Sequence, residues 1–239
     1  VMFMHSSRLP AMRAVLDDPS AIGTIRHIAS QFCFCAPEEW LTTNIRFSSE
    51  LEPAGCVGHL GWYTIRMTLW TMKMQMPTEV RGRILHGIQR PGSRVSVPVE
   101  FQGEMHFEGG TSASFFNSFR VHNTQYVAVS GQKGSLTLDD FVLPYFGSEV
   151  SFDVSNPAFR VDGCRFNMER HVRRVAVTEM SNNAASAQET QLFREFSRLV
   201  LSGRPDSSWP DVTLKTQLVM DAALKSAMNG GMPVDPRTL

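Results

Sequence analysis

The chain has 239 residues, 42% of them hydrophobic, with 23 basic and 23 acidic side chains and a pI near 7.2. That is enough apolar material for one large domain or two small ones. The balanced charge removes the electrostatic case for a nucleic-acid partner, which would want a basic face. No apolar run approaches the roughly 20 residues of a membrane helix, and the N-terminus lacks the basic-then-apolar order of a secretory signal. A cytoplasmic setting is the economical expectation, with Cys33, Cys35, Cys56 and Cys164 as buried free thiols, because their spacing is not that of a zinc site.

Val1 to His5 (VMFMH) reads as the middle of a buried strand, as if the chain were either cut from something longer or begun at a valine codon inside a former domain boundary. Arg8 to Leu16 carries helical spacing with Pro10 in its first turn, and Asp17 to Gly23 marks a turn. Thr24 to Phe34 alternates as a strand does, and Cys56 to Met72, rich in Leu, Trp, Ile and Met, reads as a helix. Beyond Pro77 come short β-forming segments at 79–85, 95–107, 111–119, 125–130 and 135–138, separated by turn signals at Gly109-Gly110, His122-Asn123 and Gln132 to Gly134. Residues 139–177 read as irregular with further strand-like pieces. Helices are predicted over 186–201 and 211–228, with Gly203 and Gly230-Gly231 as stops and Trp209-Pro210 as a cap before the second.

Strand runs kept apart from helix runs predict an α+β fold: a large, mostly antiparallel, open-faced sheet with helices on one face. In 112–120, Ser112, Ser114, Phe116, Ser118 and Arg120 form one face of a strand, and Ala113, Phe115, Asn117 and Phe119 the other. Large apolar groups on both sides fit either an open face that meets another chain, as in a homo-oligomer, or a strand buried inside one domain.

The segment 55–66 (GCVGHLGWYTIR) stands out, with three glycines, a histidine, a tryptophan and a tyrosine at the start of a predicted helix. A helical glycine costs about 1 kcal/mol against alanine. Three within seven residues suggest a backbone that something approaches closely, and so a site.

Met4 to Pro10, Ile22 to Ile25, Asn44 to Arg46, the Gly55 to Tyr63 segment, Gly131 to Gly134, Asp140 to Pro144 and Lys215 to Ala222 occur in an order that resembles the C-terminal domain of the Gfo/Idh/MocA oxidoreductases. The likeness is to the plant and bacterial subgroup with a Gly-Asp-x-Gly-Trp-Tyr motif, and it covers nearly the whole chain. The resemblance implies one substrate-binding and oligomerisation domain over 1–239, following an N-terminal domain that binds NAD or NADP. This chain has no Gly-x-Gly-x-x-Gly opening a helix after a strand, the fingerprint a dinucleotide requires. The family's catalytic lysine would lie upstream of Val1. NAD or NADP is therefore implied by the family and not expected to bind this chain alone.

The resemblance also implies the site residues. Two polar positions four apart in the glycine-rich segment, which share one helix face, are His59 and Tyr63 here. Tyr63 fits the family's tyrosine and is expected to hydrogen-bond a substrate hydroxyl or pass its proton. His59 replaces an aspartate; a histidine, mostly neutral near pH 7, does not anchor a cation, and once protonated it depresses a neighbouring lysine. Asn44 and Arg46 match the pocket mouth, where the arginine fork suits a sugar or carboxylate. An ion pair of Arg46 with Glu50 or Glu52 is the structural alternative. His5, at the end of the first expected strand, is either a ligand to substrate or a satisfied buried histidine. Trp62 is either core or a sugar-stacking face. His106, His122 and His171 have no partners at readable spacing, and Asp139-Asp140 reads as turn chemistry.

The expected function is the substrate-binding and oligomerisation part of an NAD(P)-dependent oxidoreductase acting on a hydroxyl or carbonyl carbon of a sugar or polyol. The alternative is a non-catalytic sheet domain that binds a small polyol or assembles with an intact relative. No membrane partner is expected.

Overall fold

A computed structural model of the chain describes residues 1–181 and 184–239. In chain order the elements are α1 (Arg8–Asp17), β1 (Ile25–Cys33), α2 (Glu38–Thr43), α3 (Trp62–Thr71), β2 (Glu79–Ile88), β3 (Val97–His106), β4 (Ser112–Ser118), β5 (Thr124–Gly131), β6 (Ser135–Leu138), β7 (Glu149–Ser155), β8 (Ala158–Asp162), β9 (Arg165–Glu169), β10 (Val172–Thr178), α4 (Gln188–Ser202) and α5 (Ser208–Met228). Eight strands form a sheet in the order β10-β7-β6-β5-β1-β4-β3-β2, and β8 and β9 form a separate pair. The pairings β2–β3, β3–β4, β5–β6, β6–β7 and β7–β10 are all antiparallel. This is the expected α+β class. The chain divides into two compact units: 1–27 with 126–206, and 28–125 with 207–239.

In the second unit the strand alternation does what a period of two requires. Val99, Phe101 and Met105 of β3 and Ala113, Phe115 and Asn117 of β4 are buried, while Gln102, Glu104, Ser112, Ser114 and Phe116 face outward. Phe101 and Phe115 stack with centroids 6.0 Å apart. The outward face of β4 thus carries one large apolar group, Phe116, among serines. Helix α5 packs on β2, and the Gly82 amide donates to Ser226 Oγ at 3.1 Å. Trp209 and Pro210 lie inside the first turn of α5, whose N-cap is Ser207. Proline there costs nothing, because the first amides of a helix have no partner in the helix anyway.

The first unit holds two buried carboxylates. Val1 to His5 is not a strand: Met2–His5 is a 3₁₀ turn packed against α4, with Phe3 buried. A short apolar run fits either conformation, and alternation over five residues cannot distinguish them. Just beyond it, Glu179 is 2% exposed and accepts from Ser6 Oγ (2.9 Å), Ser7 N (2.6 Å) and Ser7 Oγ (2.6 Å). It places a carboxylate at the N-terminus of α1, which has no acidic residue of its own there. Asp140 is not turn chemistry. It pairs with the buried Arg8, which also donates to the Asp140 and Ser151 carbonyls at 3.0 Å. The strand-like pieces expected within 139–177 are β7, β8, β9 and β10. Helix α4 ends at Gly203, φ +61, the left-handed stop that glycine adopts without penalty.

The thiols divide evenly: Cys33 and Cys56 are buried, Cys35 and Cys164 exposed, and all four are free. Burial pushes the Cys33 thiol up to about 11 and raises Cys56 as well, so neither buried sulfur is a nucleophile near neutrality.

Candidate functional site

The glycine-rich segment is not a plain α-helix. Val57–Gly61 forms a π turn, which passes into α3 at Trp62. Such turns recur at functional sites. Close approach is real here, but the chain itself makes it. Gly55 sits at φ +52, where a Cβ would lie 2.1 Å from the Pro98 carbonyl oxygen. A Cβ on Gly58 would lie 2.2 Å from Glu52 Oε1. The glycines let one strand and one carboxylate press against the turn.

The π turn sets His59 beside the 3₁₀ turn Ile45–Phe47. Arg46 Nε donates to His59 Nε2 at 3.0 Å, and Arg46 Nη1 donates to Asn44 Oδ1 at 3.2 Å. Asn44 Oδ1 also caps the turn by accepting from Arg46 N at 3.1 Å. Arg90 Nη1 donates to the Asn44 carbonyl at 2.9 Å, so two guanidinium groups converge on one asparagine. Aromatic rings wall the cluster. The Arg46 guanidinium lies 5.9 Å from the Trp40 ring, and His59 lies 6.3 Å from Phe34 and 5.9 Å from Phe119.

This arrangement decides the state of His59. An arginine always donates, so Nε2 must present its lone pair and the proton resides on Nδ1. Burial first, and the Arg46 charge second, push the imidazole down to about 4. His59 is therefore neutral across the physiological range, and it does hold a cation, contrary to expectation: its lone pair fixes Arg46. Being uncharged, it does not depress a neighbouring lysine near pH 7. Burial raises the Tyr63 phenol, with Arg46 opposing, so Tyr63 stays protonated and is a donor there. Glu52 is raised by burial and lowered by the same arginine.

The structure brings Asn44, Arg46 and His59 into one hydrogen-bonded cluster. Tyr63 borders it, edge-on to Phe32 at 5.2 Å and within the field of Arg46. Trp62 faces elsewhere: its ring carries the Arg66 guanidinium at 5.7 Å, and Arg66 Nε donates to Thr216 Oγ1 at 2.6 Å. His5 belongs to the other unit, where burial and the chain's amino group lower it and Glu195 raises it. The Glu50 carboxylate accepts from Ser48 and Ser49. His106, His122 and His171 are exposed, the last bonded to Glu169 at 3.1 Å.

Two members of the cluster escaped the sequence reading. Trp40, 39% exposed, presents an aromatic face that Trp62 does not. It lies in α2, a six-residue helix too short to show a periodic pattern. Glu52 was visible only as a partner for Arg46, yet it is the carboxylate seated on the glycine turn.

Residues 11–137 match the family model for the GFO/IDH/MocA C-terminal domain. Among solved structures, GenD2 from gentamicin A biosynthesis, in complex with NAD, superposes with a TM-score of 0.70 at 18% identity, over 98% of this chain and 61% of that one. A putative NADPH-dependent oxidoreductase from Desulfitobacterium hafniense gives 0.69 at 19% identity, covering 98% and 64%. KijD10, a 3-ketoreductase from Actinomadura kijaniata in complex with TDP-benzene and NADP, gives 0.67 at 19%, covering 94% and 59%. The chain spans about three-fifths of the length of these proteins.

Proposed function

The chain belongs to the GFO/IDH/MocA C-terminal domain family, and from that premise we propose that it is the substrate-binding portion of an NAD(P)-dependent oxidoreductase acting on a hydroxyl or carbonyl carbon of a sugar or polyol. One observation carries the reading. Asn44, Arg46 and His59 form a fixed polar cluster beside the part-exposed Trp40, which brings together the donors and the aromatic surface that a sugar ring needs. The neighbours complexed with NAD, and with NADP and TDP-benzene, support the same class.

In this reading each side chain has one task. Arg46, its Nε held by His59 and one Nη by Asn44, keeps the remaining N–H groups for a substrate oxygen. Its orientation is settled before the substrate arrives, which lowers the entropy cost of binding. His59 is a positioning residue through its lone pair and offers Nδ1–H as a second donor. Tyr63, protonated at neutral pH, donates to the hydroxyl or carbonyl oxygen at the reacting carbon. Trp40 stacks on the apolar face of the ring. Hydride chemistry belongs to the cofactor when it is bound. Helix α4 leaves Phe193, Phe196, Val200 and Leu201 exposed, a surface of the kind that a second domain covers.

The test is saturation-transfer NMR with hexoses, polyols and a thymidine-diphosphate sugar. Saturation of the ligand by the wild-type chain, lost in Arg46→Ala and weakened in Trp40→Ala, supports the reading. Equal saturation in all three proteins overturns it.

A further inference from the structure

The first unit contains a cavity of about 370 Å³ whose free polar side-chain atoms are acceptors. Burial separates its floor from its rim. Glu179 and Gln188, each 2% exposed, lie at the floor, while Leu143, Phe146 and Met180 at the rim are all exposed. Glu189, half-buried in the first turn of α4, also lines the space and already answers the partial positive charge of the helix start.

Two oxygens at the floor keep lone pairs in hand. The Glu179 carboxylate takes its bonds from Ser6 and Ser7 on Oε2, and none of those donors is charged. Oε1 takes none of them. Gln188 Nε2 donates to the Val142 carbonyl at 2.8 Å, which fixes the amide, and its Oε1 is buried with no donor. Such an oxygen is an exception in a folded protein, because burial strips its water and returns no bond. The Ser181 hydroxyl does not serve it: it accepts from the Gly147 amide at 3.1 Å and donates to the Gly147 carbonyl at 3.3 Å. Among the described residues that line the cavity there is no lysine, arginine or histidine. The Met180 amide donates to Ser186 Oγ at 2.9 Å, which ties one wall to the segment leading into α4. The cavity is thus formed before any ligand enters.

We propose that this cavity binds a small primary ammonium carrying an apolar stem. An ammonium has three donors and no acceptor, so it satisfies Oε1 of Glu179 and Oε1 of Gln188 together. It also brings the positive charge that the lining lacks beside two carboxylates, and charge-assisted hydrogen bonds are the stronger kind. The stem lies along Leu143, Phe146 and Met180. A carboxylate or phosphate ligand would meet like charge, and an alcohol offers one donor and no charge. The volume is near the lower end for ligand pockets, which limits the guest to a small amine. None of these residues belongs to the cluster around Arg46, so the inference does not rest on the substrate reading.

Methyl and side-chain amide NMR of the full chain near neutral pH tests it, titrating with hexylammonium chloride and, separately, with n-hexanol. Hexylammonium is expected to give saturable shifts at the Leu143 and Met180 methyls and at the Gln188 amide, with n-hexanol binding about tenfold more weakly or worse. Gln188→Leu removes the unpartnered acceptor, and Glu189→Gln removes one charge. Each is expected to weaken hexylammonium by several-fold to about tenfold, to leave n-hexanol unchanged and to keep the circular dichroism of the wild type. Glu179 is left intact because it also holds the start of α1. The absence of saturable shifts would mean that the cavity holds water alone, and overturns the proposal. Equal affinity for the two ligands, or an unchanged hexylammonium affinity in either variant, overturns it as well.

Discussion

Replacing His59 with glutamine removes a titration while keeping an acceptor for Arg46. In the folded chain the imidazole is pushed down to about 4, against 6.5 when unfolded. Its neutral form is favoured by folding, so the effect is absent above pH 6.5. As pH falls toward 4, the unfolded chain takes up a proton that the folded chain refuses, and stability is lost across that window. The full shift corresponds to about 3 kcal/mol, which partial exposure of the ring discounts to about 1–2 kcal/mol. Urea unfolding at pH 7.5 and pH 4.5 measures this. His59→Gln is expected to lose about 1–2 kcal/mol less than wild type over that span. Equal losses in the two proteins, or an imidazole resonance titrating near its ordinary value, would refute the reasoning.

Arg46→Ala frees Nε2, and the nitrogen shifts of His59 are expected to move from the Nδ1–H tautomer in wild type toward Nε2–H; an unchanged tautomer would show that Arg46 does not set it. Gly55→Ala must place a Cβ 2.1 Å from the Pro98 carbonyl oxygen at φ +52. A loss of about 2–4 kcal/mol is expected, read as a fall of about 5–15 °C in thermal midpoint. Asp140→Ala leaves the Arg8 guanidinium buried without its carboxylate, at a cost of about 3–5 kcal/mol in denaturant unfolding. Arg8→Met/Asp140→Leu is expected to recover most of that loss, and simple addition of the single effects would contradict the pairing.

Much of the architecture was legible because alternation and turn chemistry are local. The strands β1 to β6 fall within a few residues of their expected bounds, and Gly203 stops α4 as expected. What escaped depended on distant partners. Met2–His5 reads alike in either conformation, and its partners, α4 and Phe141, lie far away in sequence. Asp140 looks like any turn aspartate until Arg8, 132 residues away, is seen to bury with it. In the candidate site it was the family resemblance that picked out His59, Tyr63, Asn44 and Arg46. The role of Glu52 was hidden because nothing in a sequence says which atom fills the space a glycine leaves. For Trp62, left open between core and a stacking face, the sequence could not show that Arg66 lies over its ring.

Backbone amide mapping of the full chain during titration with a thymidine-diphosphate sugar is the most direct measurement. Shifts concentrated at Asn44, Arg46, His59 and Tyr63, and abolished by Arg46→Ala, are what the account predicts. No saturable shifts, or shifts gathered on α4 or the β8–β9 hairpin, would contradict it.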